Sequence, residues 1–336
     1  MMNKARRTRL IISKETVSNI VAYMLRNANT VELSGLYNGR AGLSLSLFIA
    51  SKYLQDESIE DEAYKLMQEA LLTKNSDMGF ANGLSGIGYV LLYLVENKYL
   101  EADFNDIFGA QYKEIISHYE NIHDNPSSIV NVQQIIHFLY KVGRLKQDNR
   151  LQMIIRHIFE GLDVFLALQF HDFDDIRYFG KKTEVLNIFK TYLKAIDYTG
   201  YTNFSRIVLD EYATLYRKGK ITSSLETGYY LDRVVRTNNI NGFDDIIRKN
   251  INNGAINIYP CTLSLKERVD MVKALSEIPN NEDVVKYLLS EIVSDQKEAT
   301  IRKLLKTVDA TYYPLGYGAG LARLLIFIVN KDIELL

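Results

Sequence analysis

The chain is 336 residues long and nearly neutral, with 40 Lys and Arg against 41 Asp and Glu, so it lacks the basic excess of a dedicated nucleic-acid binder. At 47% hydrophobic residues and this length, about three quarters of the unfolded surface can be buried, so core material is not limiting. One cysteine, Cys261, excludes an internal disulfide framework and any zinc site that takes two thiolates from this chain.

From the N-terminus, Lys4, Arg6, Arg7 and Arg9 precede a short apolar run, Leu10-Ile11-Ile12, that Lys14 and Glu15 soon interrupt. That is no apolar region of a secretion signal, and no run approaches the ~18 residues of a membrane span. A cytoplasmic protein without a membrane span is expected. The next feature is Gly35-Leu36-Tyr37-Asn38-Gly39-Arg40-Ala41-Gly42, which opens an apolar run over 43–50. An amphipathic helix is predicted over 56–72, with Ile59, Ala63, Leu66, Met67, Ala70 and Leu71 on one stripe.

Forty-four residues after the first glycine unit comes Gly79-Phe80-Ala81-Asn82-Gly83-Leu84-Ser85-Gly86, which opens a second apolar run over 87–95. Three glycines and one asparagine recur at one offset, the mark of an internal repeat. Further amphipathic helices are predicted over 149–170, 204–217 and 283–293. Between them, degenerate inner helices fit 129–142, 184–196, 228–237 and 265–278. A weaker third glycine copy, Leu315-Gly316-Tyr317-Gly318-Ala319-Gly320, precedes the apolar run 321–329.

Period-2 alternation is scarce, so the class is all-α. Helices apolar on every side alternate with helices that have one wet face. Inner helices wrapped by outer ones answer that pattern, as an (α/α) toroid of about seven inner and seven outer helices. A single domain over 1–336 is expected, against the alternative of an irregular two-domain bundle. The glycines are architectural on this reading. Spaced four and three, they share a face on a helix and admit a close backbone, or in a loop they supply positive φ. A phosphate-cradling loop is disfavoured because no Gly-x-x-x-x-Gly-Lys-Ser/Thr occurs.

At the residues Gly35–Gly42, Gly79–Gly86 and, in part, Gly316–Gly320, the sequence resembles the lanthionine synthetase C-like family. The resemblance implies an (α/α) toroid whose central cavity, in cyclase members, holds zinc. That zinc turns a peptide cysteine into a thiolate, which adds to a dehydrated serine or threonine. Cyclases hold the metal through a cysteine at the mouth of the fifth inner helix and a Cys-His pair at the sixth. Here Ser223 stands at the first place, within 222–228, and Cys261 with Thr262 at the second. Where the family carries a His-Gly at the fourth mouth, the equivalent is Phe179-Gly180. One thiolate without a neighbouring histidine cannot make the family's tetrahedral site, so no zinc, no other cofactor and no catalytic residue are expected.

The histidines, His118, His123, His137, His157 and His171, form no metal-binding pattern with Cys261. The run His171-Asp172-Phe173-Asp174-Asp175 lacks the glycine and distal glutamate of a calcium loop and reads as a solvated turn. Carboxylates near the inner-helix mouths, Asp77, Glu184, Glu226 and Asp309, read as helix caps, or as an acid and base pair in a glycoside-active enzyme. Tyr37, Tyr229, Tyr230, Tyr259, Tyr312, Tyr313 and Tyr317 also fall near those mouths, where tyrosine stacks on a ligand or fills the core. The leading function is a zinc-less peptide-binding or scaffolding component of ribosomal peptide modification, of the lanthipeptide type. Its partners would be a peptide substrate or a partner protein of that system. The tentative binding residues are Tyr37, Asn38, Asn82, Ser223, Glu226, Cys261, Thr262, Tyr313 and Tyr317. A glycoside-active enzyme and a non-catalytic helical interaction protein are the alternatives.

Overall fold

The helices that follow the three glycine units are buried on nearly every face, as their apolar sequences predict, whereas the other helices keep exposed positions. The computed structural model describes residues 13–120, 129–130, 132–145, 148–175, 179–256, 265–278, 281–292 and 314–329. Among them every regular element is helical. In chain order the α-helices are α1 (Lys14–Asn27), α2 (Arg40–Leu54), α3 (Glu57–Leu72), α4 (Leu84–Glu96) and α5 (Phe104–Glu120). They continue with α6 (Ile136–Leu145), α7 (Asn149–His171), α8 (Phe179–Thr199), α9 (Arg206–Arg217) and α10 (Leu225–Thr237). The last four are α11 (Asp244–Ile256), α12 (Leu265–Glu277), α13 (Glu282–Ile292) and α14 (Leu321–Val329).

Six of the seven expected inner segments lie on even-numbered helices, and the seventh, 129–142, joins α6 from Ile136 after a 3-10 turn at Gln133–Ile135. In α2 every residue from 41 to 51 is buried, and in α14 every residue from 321 to 328. In α3 only the stripe Ile59, Ala63, Leu66, Met67 and Ala70 is buried, with Leu71 at its edge. A helix with no wet face needs neighbours all round, whereas α3 needs cover on one side only. Ser44 is wholly buried in α2, and its hydroxyl donates to Ala63 O of α3 at 2.7 Å, which satisfies it and ties the two helices together.

The chain divides into two compact units, Met1–Tyr112 with Tyr259–Leu336, and Lys113–Ile258. In the first, the inner helices neighbour one another in the order α12, α14, α2, α4, so the C-terminal repeat lies beside the N-terminal one. There α3 packs on α2, α13 on α12, and α1 on both α2 and α14. In the second unit α6, α8 and α10 neighbour one another in an inner layer. Their outer partners are α7, α9 and α11, with α9 packed on the two others.

The three glycine units share one geometry. The first residue of each following helix donates its N–H to a carbonyl seven residues back: Arg40 to Leu33 at 2.9 Å, Leu84 to Asp77 at 2.8 Å, Leu321 to Pro314 at 2.8 Å. The returning loop leaves no space for a side chain at the helix cap. A Cβ on Gly320 would sit 2.5 Å from Pro314 O, and one on Gly42 or Gly86 would overlap Leu36 O or Phe80 O. The cap glycines have φ −125° at Gly39 and −103° at Gly83, so positive φ is not their purpose; close backbone approach is. The glycines with positive φ lie elsewhere, at Gly200, Gly219 and Gly242. In the third copy the place of Gly42 and Gly86 is taken by Arg323, which is wholly buried. Its Nη2 lies 2.6 Å from Asp270 Oδ1 on α12, and its guanidinium faces the Tyr317 ring at 5.6 Å.

Gly42→Ala therefore lowers the unfolding free energy by about 1–3 kcal/mol, because the carbonyl it meets belongs to backbone and cannot turn aside. Gly180→Ala, where a Cβ meets nothing, is neutral or stabilises by up to about 1 kcal/mol through helix propensity. Urea denaturation of the two variants against the parent checks both; equal destabilisation would refute the close-approach role.

Candidate functional site

The sequence-predicted residues of the first unit come together where its glycine loops meet. Tyr37 N donates to Ala81 O of the second loop at 2.6 Å, and Gly318 N of the third donates to Tyr37 O at 2.8 Å. The Tyr37 ring meets Phe80 edge-on at 6.3 Å and Tyr317 at 6.0 Å. Burial pushes the Tyr37 phenol well above its ordinary range, with the nearby Arg323 cation acting the other way. Tyr317 is itself buried, a core residue at 2% exposure, whereas Tyr37, Asn38 and Asn82 are half-buried. Asn75 bridges two of the loops, its Nδ2 donating to Ser34 Oγ at 3.1 Å and to Asn82 O at 2.9 Å. Packed backbone, three aromatic rings and one paired cation fill this place.

In the second unit the mouth of α10 is built from side chains instead. Asn250 of α11 is wholly buried, and its Oδ1 accepts from Ser224 N at 3.0 Å and from Tyr212 Oη at 3.1 Å. Its Nδ2 donates to Ile246 O at 3.0 Å. Ser224 then caps α10, its hydroxyl accepting from Thr227 N at 3.3 Å. Gly228 and Gly254 let α10 and α11 approach; a Cβ on Gly228 would lie 2.8 Å from Asn250 Cβ. Ser223 Oγ is 2.6 Å from Tyr216 Oη of α9. Glu226 faces α8, where Lys190 Nζ lies 2.8 Å from its Oε2.

Beside this mouth lies a cavity of about 380 Å³ that α8, α9, the 220–224 loop and α10 enclose. Phe173, Leu186, Tyr212 and Ile221 form its apolar lining, and Lys182, Lys190 and Lys220 its charged lining. Sequence reasoning placed Ser223 and Glu226 at this mouth but missed the lysines and Asn250. Lys182, Leu186 and Lys190 are spaced by four on one face of α8, a legible signal of shared facing. Asn250 interrupts the apolar stripe Ile246, Ile247, Gly254, and a polar residue on such a stripe marks an internal hydrogen bond.

Cys261, Thr262, Tyr313, Asp309, His123, Tyr259 and Tyr312 lie outside the described residues. Of the other mouth carboxylates, Asp77 accepts from Gly79 N at 2.7 Å, a turn-forming bond. The run 171–175 is an exposed turn whose Asp174 pairs with Lys220 at 3.2 Å, while Phe173 is buried. No group of three or more His, Cys, Asp or Glu side chains is placed to hold a metal ion among the described residues. His137 is buried on α6 with its ring against Tyr198 at 4.8 Å, and burial, aided by the Lys194 cation, depresses its pKa to about 3. Among the described residues no helix is long and apolar enough to cross a membrane.

Residues 3–165 match the model of the family described as lanthionine synthetase C-like protein. The matched segment holds the first two glycine units and ends within α7. The family fold is an (α/α) toroid, consistent with the inner and outer helices found here. No curated protein and no solved structure matches the chain.

Two stability measurements follow. Asn250→Ala strands Ser224 N–H and Tyr212 Oη and lowers stability by about 1–3 kcal/mol, whereas Tyr212→Phe leaves Asn250 a donor and costs about 1 kcal/mol or less. Equal losses in urea titrations would count against the Asn250 clamp. His137 stays neutral when folded, so the unfolded state alone binds its proton below about pH 6.5. Its contribution is fully present above that pH and declines as pH falls towards about 3, by at most about 1.4 kcal/mol per unit. The stability of His137→Phe should fall less steeply than the parent's over that window.

Proposed function

We propose that this chain, which belongs to the lanthionine synthetase C-like family, is a zinc-less, peptide-binding or scaffolding component of ribosomal peptide modification. Its donor set carries the zinc-less part of this reading. Zinc held in the family's manner needs two thiolates and an imidazole, and a chain with one cysteine cannot supply them. The residue at the first thiolate's place, Ser223, has a hydroxyl already engaged by Tyr216. The residues present therefore do not fit the metal, and no step is routed through it. A thiol with a pKa of about 8.5 is only about a few per cent thiolate at neutral pH, so an unactivated peptide cysteine adds slowly to its acceptor.

Family membership supports the peptide-binding part. The candidate contacts are Tyr37, Asn38 and Asn82 in one unit and Ser223 and Glu226 in the other, with Cys261, Thr262 and Tyr313 carried from the sequence. Tyr317, being buried, would act on binding through packing alone. Residues 1–336 are read as one domain, in a cytoplasmic protein whose partners are a peptide substrate or another protein of the same system.

The test takes the full chain, purified without a histidine tag and dialysed. Metal analysis should find well under one zinc per chain. A dehydrated, cysteine-containing peptide should close its thioether at the uncatalysed rate, yet bind in fluorescence anisotropy. Stoichiometric zinc lost in Cys261→Ala, or cyclisation above background abolished by Cys261→Ser, would restore the cyclase assignment.

A further inference from the structure

The cavity at the α10 mouth has a charge arrangement that peptide binding in general does not require. Three lysines reach it: Lys182, Lys190 and Lys220. Two are matched by carboxylates, Lys190 by the half-buried Glu226 at 2.8 Å and Lys220 by Asp174 at 3.2 Å. The Lys220–Asp174 pair is largely in water, with side chains 46% and 59% exposed, and such pairs hold weakly. Lys182 is half-buried, faces the Phe173 ring at 4.9 Å, and has no carboxylate partner among the described residues. Three cations against two carboxylates leave one positive charge in a concave place.

Phe173, Leu186, Ile221 and the Tyr212 ring, locked by Asn250, make its apolar side, and Thr183, Asn187, Thr222, Ser224 and Thr227 add uncharged polar groups. At about 380 Å³ the cavity lies near the lower end of the roughly 300–1,000 Å³ of small-ligand sites. It holds one or two residues of an extended chain. Near-neutral overall charge gives the molecule no general attraction for anions, so any preference for acid must come from local placement.

We propose that this cavity binds an acidic segment of the peptide partner. A carboxylate pairs with Lys182, Lys220 turns from Asp174 to join it, and an adjoining apolar side chain packs against Phe173, Leu186 and Ile221. This rests on the peptide-binding reading and adds the chemical class of peptide to it. A charge-assisted hydrogen bond in a half-buried place supplies orientation, and the apolar contact supplies most of the burial.

The test uses the full chain and three fluorescein-labelled eight-residue peptides that alternate leucine with glutamate, glutamine or lysine. Anisotropy should show the glutamate peptide binding best, more weakly as sodium chloride rises. Lys182→Glu should weaken it about tenfold or more, Lys182→Gln by less, and Lys65→Glu, on exposed α3, not at all. Melting curves report whether the variants remain folded. Acetylation mapping by mass spectrometry, which needs no variant, should find Lys182 and Lys220 protected by the glutamate peptide. Equal binding of the glutamine peptide, or preference for the lysine peptide, would overturn the acidic-segment proposal while leaving peptide binding intact. Glutamate-peptide binding without protection of these lysines would place the site elsewhere and overturn it too. Protection by inorganic phosphate with no peptide bound would make the cavity a free-anion site, and the peptide-binding reading would fall with the proposal.

Discussion

A helix that begins at a crowded junction must find acceptors for its first N–H groups, and this chain finds them in its own returning backbone. The first four N–H groups of a helix have no partner inside it. At α2, α4 and α14 the carbonyl seven residues back supplies one, and the loop must fold against the helix start to do so. Glycine at the cap follows from that return, because backbone occupies the space a side chain would need. The same closeness lets neighbouring loops bond to each other. The N–H and carbonyl of Tyr37 each reach a different loop, so the first, second and third copies are linked through one residue. At α10 the problem is solved by side chains: Ser224 caps the helix and Asn250 holds Ser224. Where backbone fills the junction there is packed core, and where side chains build it there is a cavity beside it.

Arg323 shows what happens when a copy of the motif departs from its rule. It stands on a helix buried throughout, where an unpaired guanidinium would carry a desolvation penalty of several kcal/mol. Asp270 on the neighbouring α12 meets it at 2.6 Å, and the Tyr317 ring presents its face to the same cation. A charge that is buried, paired and stacked fixes the register of α14 against α12 more narrowly than apolar contact would. It also reaches the phenol of Tyr37, opposing the rise that burial imposes. The linkage of the three loops through Tyr37 thus has an electrostatic side as well as a backbone one.

The parts of this architecture that were legible in the sequence were those written as periodicity. Segments such as 87–95, without a charge, and 321–329, with Arg323 as its one charge, announced helices with no wet face, and the stripe from Ile59 to Ala70 announced the opposite. The 44-residue repetition located two mouths, and the family match over 3–165 rests on the same region. What the glycines do was half legible: close approach was foreseen, but the negative φ of Gly39 and Gly83 rules out the other role offered for them. Tyr317 lay beside a mouth by position and inside the core by packing, since nothing local in a sequence says which side of a loop a ring takes. Lys182 and Lys190 were legible only in pairs, because their common facing exists once α8 is known to run through both. Asn250 was harder still, because the two partners of its Oδ1 are 26 and 38 residues away in sequence, on the α10 loop and on α9.

The α10 mouth brings the departures together. A thiolate would bring negative charge and a strong ligand to this place; the serine brings a neutral hydroxyl already bonded to Tyr216. Next to it the local charge runs the other way, through Lys190 held by Glu226 and Lys182 held over Phe173. A pocket so arranged places lysine ammonium groups beside apolar surface. A neutral hydroxyl and a cationic lining meet at one helix mouth because that mouth is built from side chains. At the backbone-built junctions of α2 and α4 the main chain itself fills the space beside Gly42 and Gly86.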